Sequence, residues 1–199
     1  YDINVLYELS EKELPNYLII PIPAEQTVKK GDVVLTWWQR GSGLQRAIVI
    51  DDSNPNEPEI HYLDLDWELM VKNDKFTEKI EANSFVKITE PWQSGASLIA
   101  KEGTNTVKYT LLTSSADKIL VNGFAGVTKV LDKSACSPIP SANLKVGDVV
   151  QAPWSSGNYS QATVKEVNAA YGRAMLVFDI DKEKTRAVPI RDIITDSNL

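Results

Sequence analysis

Two pairs of carboxylates two residues apart, Asp64 with Asp66 and Asp179 with Asp181, are the first residues whose types and spacing could do chemistry. Side chains at i and i+2 of a strand project from one face. Two carboxylates so placed can begin a site for a hard cation, which takes about six oxygens. No third or fourth acid stands at a matching spacing, so hydrogen bonding in hairpin turns is the expected role, and no metal or other cofactor is expected. Cys136 is the only cysteine and His61 the only histidine. A thiol nucleophile needs a base beside it. These two stand in different halves of the chain, so Cys136 is expected to be a buried inert thiol and His61 a strand residue. Asn158-Tyr159-Ser160 matches a glycosylation acceptor, a pattern common by chance. The sequence contains no G-x-S-x-G, H-E-x-x-H, P-loop or Rossmann fingerprint. The expectation is therefore a non-catalytic protein. An enzyme using carboxylates such as Asp64 and Asp66 ranks last among the readings.

The elements that must position these residues come in two copies. Gly31-Asp32-Val33-Val34 ahead of Trp38 returns as Gly147-Asp148-Val149-Val150 ahead of Trp154, each at a separation of 116. Ala47 with Ala162, Val49 with Val164, Leu63 with Phe178 and Asp66 with Asp181 are 115 apart, which implies one residue lost in the intervening loop. Pro21-Ile22-Pro23 returns as Pro138-Ile139-Pro140. Self-similarity at a fixed period marks a repeated structural unit. Within each copy, short β-branched and aromatic runs alternate with Gly, Asn, Asp, Ser and Pro clusters, the pattern of a small barrel or sandwich. The first copy carries about eight extra residues, 70–77.

Other segments read as follows. Ile3, Val5 and Tyr7 alternate as a strand, and Ser10 to Glu13 fits a capping box opening a single helical turn before Pro15. Glu90 to Thr106 reads as a linker. Val107, Tyr109 and Leu111 share one face of a strand, and Ser114 to Asp117 starts a helical turn. Asn122-Gly123 turns between two further strands. Phe178 to Val188 is a hairpin turning at Asp181 to Lys184, and Ile190 to Ile194 is a 3₁₀ turn. The segment before the second copy is expected to repeat the lead-in of the first. The fold expected is all-β, with two halves, 1–95 (barrel core about 30–88) and 96–199 (barrel core about 145–195), and extra strands preceding each barrel.

The net charge of −6 and a pI of about 4.9 argue against nucleic acid, whose binding rests on clustered Lys and Arg. Arg173, Lys182, Lys184, Arg186 and Arg191 could still gather on one side, which keeps a nucleic-acid-binding protein as the alternative. No apolar run is long enough to span a membrane. The chain starts at Tyr1 rather than Met, and export, to a periplasmic or lipid-anchored destination, is the expectation that start carries.

The succession Gly147-Asp148, Val149-Val150, Trp154, Gly157 with Tyr159, Ala162 with Val164, Val177-Phe178-Asp179, Asp181 to Glu183 and Ile193 resembles the Tudor and Agenet group of small SH3-like barrels. It covers about fifty residues of the second copy and a shorter set in the first. The resemblance implies an aromatic cage for a cationic side chain, held over electron-rich rings. Trp154, Tyr159 and Phe178 would be its walls and Asp179 or Asp181 its acid. Lys182 to Lys184 stands where a further aromatic is expected. In the first copy Trp38 matches Trp154, Leu44 stands at the place of Tyr159 and Leu63 at that of Phe178. Tyr62 and Trp67 could rebuild the aromatic surface there, beside Asp66. The same rings are also those that would fill the centre of a small barrel. The function implied is recognition of a peptide or protein ligand, through the cleft around Trp154 and Tyr159 or between the barrels.

Overall fold

Alternating burial sets the strands. Ala174, Leu176 and Phe178 are fully buried while Met175 and Val177 between them are not, and Val107 and Tyr109 flank a less buried Lys108 in the same way. A two-residue period of this kind buries one face of a sheet and leaves the other toward solvent or a neighbour. The computed structural model describes residues 2–4, 11–13, 19–24, 26–38, 43–68 and 77–195. The described chain is all-β, its strands joined by turns and short 3₁₀ segments.

A two-stranded ribbon, β1 (Asp2–Asn4) with β2 (Glu11–Glu13), comes first. The helical turn expected at Ser10 to Glu13 is therefore a strand over its last three residues. Val5, Tyr7, Ser10 and Pro15 lie outside the described residues. Three antiparallel sheets follow. The first holds β3 (Val33–Trp37), β4 (Leu44–Asp51), β5 (Glu59–Tyr62), β6 (Glu78–Lys79) and β7 (Phe85–Lys87), in the order β6-β5-β4-β3-β7. The second holds β8 (Ser97–Glu102), β9 (Asn105–Ser114), β10 (Lys118–Asn122), β11 (Thr128–Asp132) and β12 (Cys136–Pro138), in the order β11-β10-β9-β8-β12. The third holds β13 (Val149–Pro153), β14 (Tyr159–Asn168), β15 (Arg173–Phe178) and β16 (Asp181–Pro189) in sequence order, and Ile194 then bridges back to Gln151 of β13. In all three the chain meanders through four strands and its last segment returns beside the first.

The two copies seen in the sequence share the hydrogen bonding of their entry turn atom for atom. Gly31 N–H donates to Val49 O at 2.8 Å and Gly147 N–H to Val164 O at 2.9 Å. The Asp32 and Asp148 carboxylates accept from the amides of Lys29 and Lys145. A bulge follows Val49 and Val164 alike. The loop after Trp38 is one residue longer than that after Trp154, since Trp38 N–H meets Gly43 O and Trp154 N–H meets Asn158 O. The third strand differs from the sequence alignment by one residue. Ala47 pairs with Tyr62 and Ala162 with Phe178, so Tyr62, not Leu63, is the counterpart of Phe178. The hairpin from Val164 to its partner Leu176 is one residue longer than that from Val49 to its partner Ile60, which restores the separation to 116.

The middle sheet repeats the same entry. Gly95 N–H donates to Leu111 O at 2.7 Å, Leu111 N–H returns to Ala96 O, and Ala96 N–H closes on Gln93 O. Gly31, Gly95 and Gly147 have φ of +92°, +91° and +95°, a left-handed conformation that glycine adopts without steric cost. Residues 90–106, expected as a linker, thus contain the entry turn and first strand of a third unit with the same strand order. The segment expected to repeat the lead-in is that unit. Ser114 to Asp117 is a hairpin turn, with Ser115 N–H on Lys118 O, and the last hairpin reverses at Asp179-Ile180, ahead of the residues expected to turn it. The 3₁₀ turn is present at Ile190–Asp192.

Each unit has its own apolar centre: Val34, Val49, Ile60 and Phe85 in the first, Leu98, Tyr109, Leu111 and Ile119 in the second, Val150, Val164, Leu176 and Phe178 in the third. Cys136 is buried in the second, and burial holds its thiol above the usual pKa. A further cluster, Val33, Leu35, Ile48, Leu63 and Ile88, covers the outer face of the first sheet. Gly95 and Gly172, from the other two units, lie against it.

Candidate functional site

Arg46 opens the buried run of β4, ahead of Ala47, Ile48 and Val49, and it is itself fully buried. A buried guanidinium has five N–H donors to satisfy. Its Nε and Nη2 donate to Asp64, two residues past β5, and the same carboxylate accepts the Arg46 backbone N–H at 2.9 Å. Its Nη1 and Nη2 each donate to Asp192 at 2.8 Å, in the bidentate fork that matches a carboxylate. Nη1 also donates to Ser97 Oγ at 2.6 Å, and that hydroxyl donates to Asp192 Oδ1 at 2.7 Å. Lys108 Nζ stands 3.6 Å from Asp64 and 3.5 Å from Asp192. Tyr159 donates its hydroxyl to the Asp192 carbonyl at 2.8 Å.

Arg46 and Asp64 belong to the first unit, Ser97 and Lys108 to the second, Asp192 and Tyr159 to the third. One cluster of two cations and two anions therefore joins all three. Burial alone would raise the Asp192 carboxyl, but Arg46 and Lys108, with the Arg46 and Ser97 hydrogen bonds, hold it far below the usual carboxylate range. Asp64 is lowered too: burial opposes the shift, and Arg46 and Lys108 outweigh it. Burial, then the nearby Asp192, pushes the Tyr159 hydroxyl well above its ordinary value, so it stays a neutral donor. These carboxylates have their lone pairs engaged and their charge balanced, which suits cement between units rather than proton transfer.

A second tie runs from the third unit to the first. Arg173, 3% exposed, donates through Nη2 to the carbonyls of Tyr62, Leu63 and Leu65 at 2.8–3.0 Å. Burial lowers its pKa to about 10, against the raising effect of Asp64 and Asp192. Beside it, His61 and Trp67 meet Tyr171 edge-on, with ring centroids 4.9 and 5.8 Å away.

The expected site residues divide. Phe178 and Tyr62 are core residues, 0% and 2% exposed, and Tyr62 donates its hydroxyl to Glu78. Trp38 packs edge-on against Tyr62 at 6.5 Å. Trp154 lies 4.7 Å from Phe178 in the equivalent place, and the Arg186 guanidinium covers its ring at 3.5 Å. Tyr159 turns to the junction. Asp179 is exposed and accepts from Gln161 at 2.7 Å, while Asp181 opens β16. The two Asp-x-Asp pairs are not strand neighbours sharing a face: one lies past β5 and the other straddles a hairpin turn. Of the nine, Trp154, Asp66 and Trp67 come together on one cleft.

That cleft, about 840 Å³, lies between the first and third units, with Asp66, Trp67 and Glu68 facing it from one and Trp154, Lys184 and Arg186 from the other. A second cleft, about 770 Å³, opens on the junction of all three units and is bordered by Trp37, Phe124 and Trp154. Asp64, Lys108, Pro153, Trp154 and Asp192 line both. Arg173 and Arg191 point inward, Arg191 reaching Ile88 O at 3.5 Å, so the basic face considered for nucleic acid loses two of its five members. Arg46, Ser97, Lys108 and Asp192 were not legible as site residues. The one local signal is a charged side chain within the buried run of β4.

No protein-family model and no curated protein sequence matches this chain. Among the described residues no helix is long and apolar enough to cross a membrane, and no group of three or more His, Cys, Asp or Glu is placed to hold a metal ion.

Proposed function

We propose that this is a non-catalytic binding protein of Tudor-like, SH3-like units that recognises an extended peptide or protein segment in the cleft between its first and third units. The observation that carries the reading is the convergence of Trp154, Trp67 and Asp66, from two units, on one cleft of about 840 Å³. The cleft also runs under Lys184 to Pro189 of β16, which ends its sheet. A strand at a sheet edge offers main-chain donors and acceptors to an added peptide strand, and nearby pockets select its side chains. Lys184 and Arg186 on one wall and Asp66 and Glu68 on the other suit a segment carrying both signs of charge. Arg186 already lies over Trp154, so a ligand cation must displace it or bind beside it. Fully engaged carboxylates in the junction favour binding over catalysis.

The test is selection of binders from a peptide library displayed on phage, followed by affinity measurement on the enriched peptides. Trp154→Ala with Asp66→Ala is expected to weaken binding at least about tenfold, as is Lys184→Ala with Arg186→Ala, whose exposed positions leave the fold intact. Failure to enrich any sequence, or affinities unchanged in both double variants, would remove the cleft from consideration.

A further inference from the structure

We propose that the second cleft, which shares Trp154 and its charged floor with the first, is a binding site for a neutral carbohydrate. Trp37 and Phe124 are 56% and 60% exposed, and they reach the cleft from different units. Single exposed apolar residues are ordinary. Two rings from separate units, joined by Trp154 around about 770 Å³, form an aromatic surface of the size that small-molecule sites have. Ring faces of this kind cover the C–H faces of a sugar.

The polar lining is neutral. Gln45, Thr110 and Asn122 contribute amides and a hydroxyl, groups that both donate and accept, which is what a polyol presents in return. Asn122 lines this cleft, and its Oδ1 is buried with no hydrogen-bond partner among the described residues. The charged floor offers no net charge, because Asp64, Lys108 and Asp192 are paired with one another and with Arg46. Among the described residues the only non-glycines with positive φ are Ala125 at +55° and Ser156 at +53°. Ala125 lines this cleft, and Ser156 lies in the turn between its lining residues Trp154 and Gly157. Backbone strain of this sort gathers at ligand clamps.

The walls argue against a peptide here. Gln45 lies on β4 and Thr110 on β9, strands flanked on both sides, so their backbone groups are spent in ladders. Of its strand residues only Thr128, at the start of β11, and Pro153, at the end of β13, belong to sheet edges, and a proline has no N–H to offer a peptide strand. Recognition therefore falls to side-chain amides, hydroxyls and rings.

The experiment is calorimetric titration of the full chain with three neutral tetrasaccharides: β-1,4-linked glucose, α-1,4-linked glucose and β-1,4-linked N-acetylglucosamine. A neutral glycine- and serine-rich decapeptide is titrated in parallel. At least one sugar is expected to bind with a Kd between about 10 μM and about 1 mM. Trp37→Ala and Phe124→Ala, which lie on this cleft alone, are each expected to weaken it at least about tenfold, and Lys184→Ala, on the other cleft, by less than about twofold. Unchanged thermal midpoints check the fold of the variants. No heat from any sugar at about 10 mM overturns the proposal. So does sugar binding that survives both ring deletions, or decapeptide binding that depends on Trp37 and Phe124 in the sugars' place. Peptide binding that depends on Arg186 bears on the other cleft and leaves this outcome separate.

Discussion

Removing the Asp192 carboxylate should be among the costliest single changes to the buried groups of the described residues. Asp192→Asn keeps the shape but takes away one anion from a cluster of two cations and two anions. Arg46, fully buried, then faces an uncharged amide across the two 2.8 Å contacts of the fork, and Ser97 Oγ loses its charged acceptor. Leaving a buried ion without its partner costs about 3–5 kcal/mol; Asp64 remains to hold part of the field at Arg46, while Lys108 adds to the uncompensated positive charge. We expect Asp192→Asn at about 3–4 kcal/mol and Arg46→Met at about 3–5 kcal/mol. The double variant should cost well under their sum, because neither ion is then stranded, with a coupling of about 2 kcal/mol or more. Urea unfolding with linear extrapolation measures all four corners of the cycle. The cluster spans three units, so loss of Asp192 should also separate the transitions seen by tryptophan emission and by far-UV circular dichroism, which coincide in the parent. Additive losses, a coupling below about 0.5 kcal/mol, or a single-variant cost below about 1 kcal/mol would refute the idea that this cluster holds the units together.

Other expectations follow from the same geometry. Asp64 and Asp192 have folded pKa values below their unfolded ones, so the stability they supply is complete above about pH 5 and is lost as pH falls below the ordinary carboxylate value near about 3.9. Urea midpoints measured from pH 7 to pH 3 should stay level on this account and then drop, less steeply in Asp192→Asn. Gly95→Ala should cost about 2–4 kcal/mol, since its Cβ would sit 2.3 Å from Ile88 Cδ1, whereas Gly31→Ala and Gly147→Ala, with the same φ and open space, should cost about 1–2 kcal/mol by thermal unfolding. Arg173→Met should cost about 2–4 kcal/mol by the same measurement, because three first-unit carbonyls lose their donor. Arg186→Ala should cost about 1 kcal/mol or less and shift the Trp154 emission, as expected for a partly exposed cation over a ring.

The all-β class and the two outer units were legible because strand formation is local: a period of two, turn residues between, and a Gly-Asp entry repeated at one spacing. The middle unit was not. Ala96 replaces the aspartate of that entry, and the amide-capping task passes to Gln93, whose side chain accepts from Thr89 and Glu90. Its first hairpin is also tighter, with Glu102 opposite Asn105, so the spacing of the other two copies does not recur. The one-residue error in the third strand arose because the Asp-x-Asp pairs look alike, although the ladder matches Tyr62 to Phe178 and the acids fall out of register. Rings taken for cage walls proved to be core where strand alternation turns them inward, as at Tyr62 and Phe178. The junction could not be read at all, since Arg46 meets Asp192 across 146 positions of chain and nothing local to either records the other.

The central functional claim is that ligands enter where the units meet, and the five tryptophan side chains report on it directly. In two-dimensional ¹⁵N spectra of the chain titrated with a phage-selected peptide, the indole N–H signals of Trp154 and Trp67 should move together and saturate. The Trp92 signal, from a half-buried ring packed against the core of the second unit under Lys133, should stay fixed. Saturating shifts confined to Trp92 or Trp38, with Trp154 and Trp67 unmoved, would contradict the account.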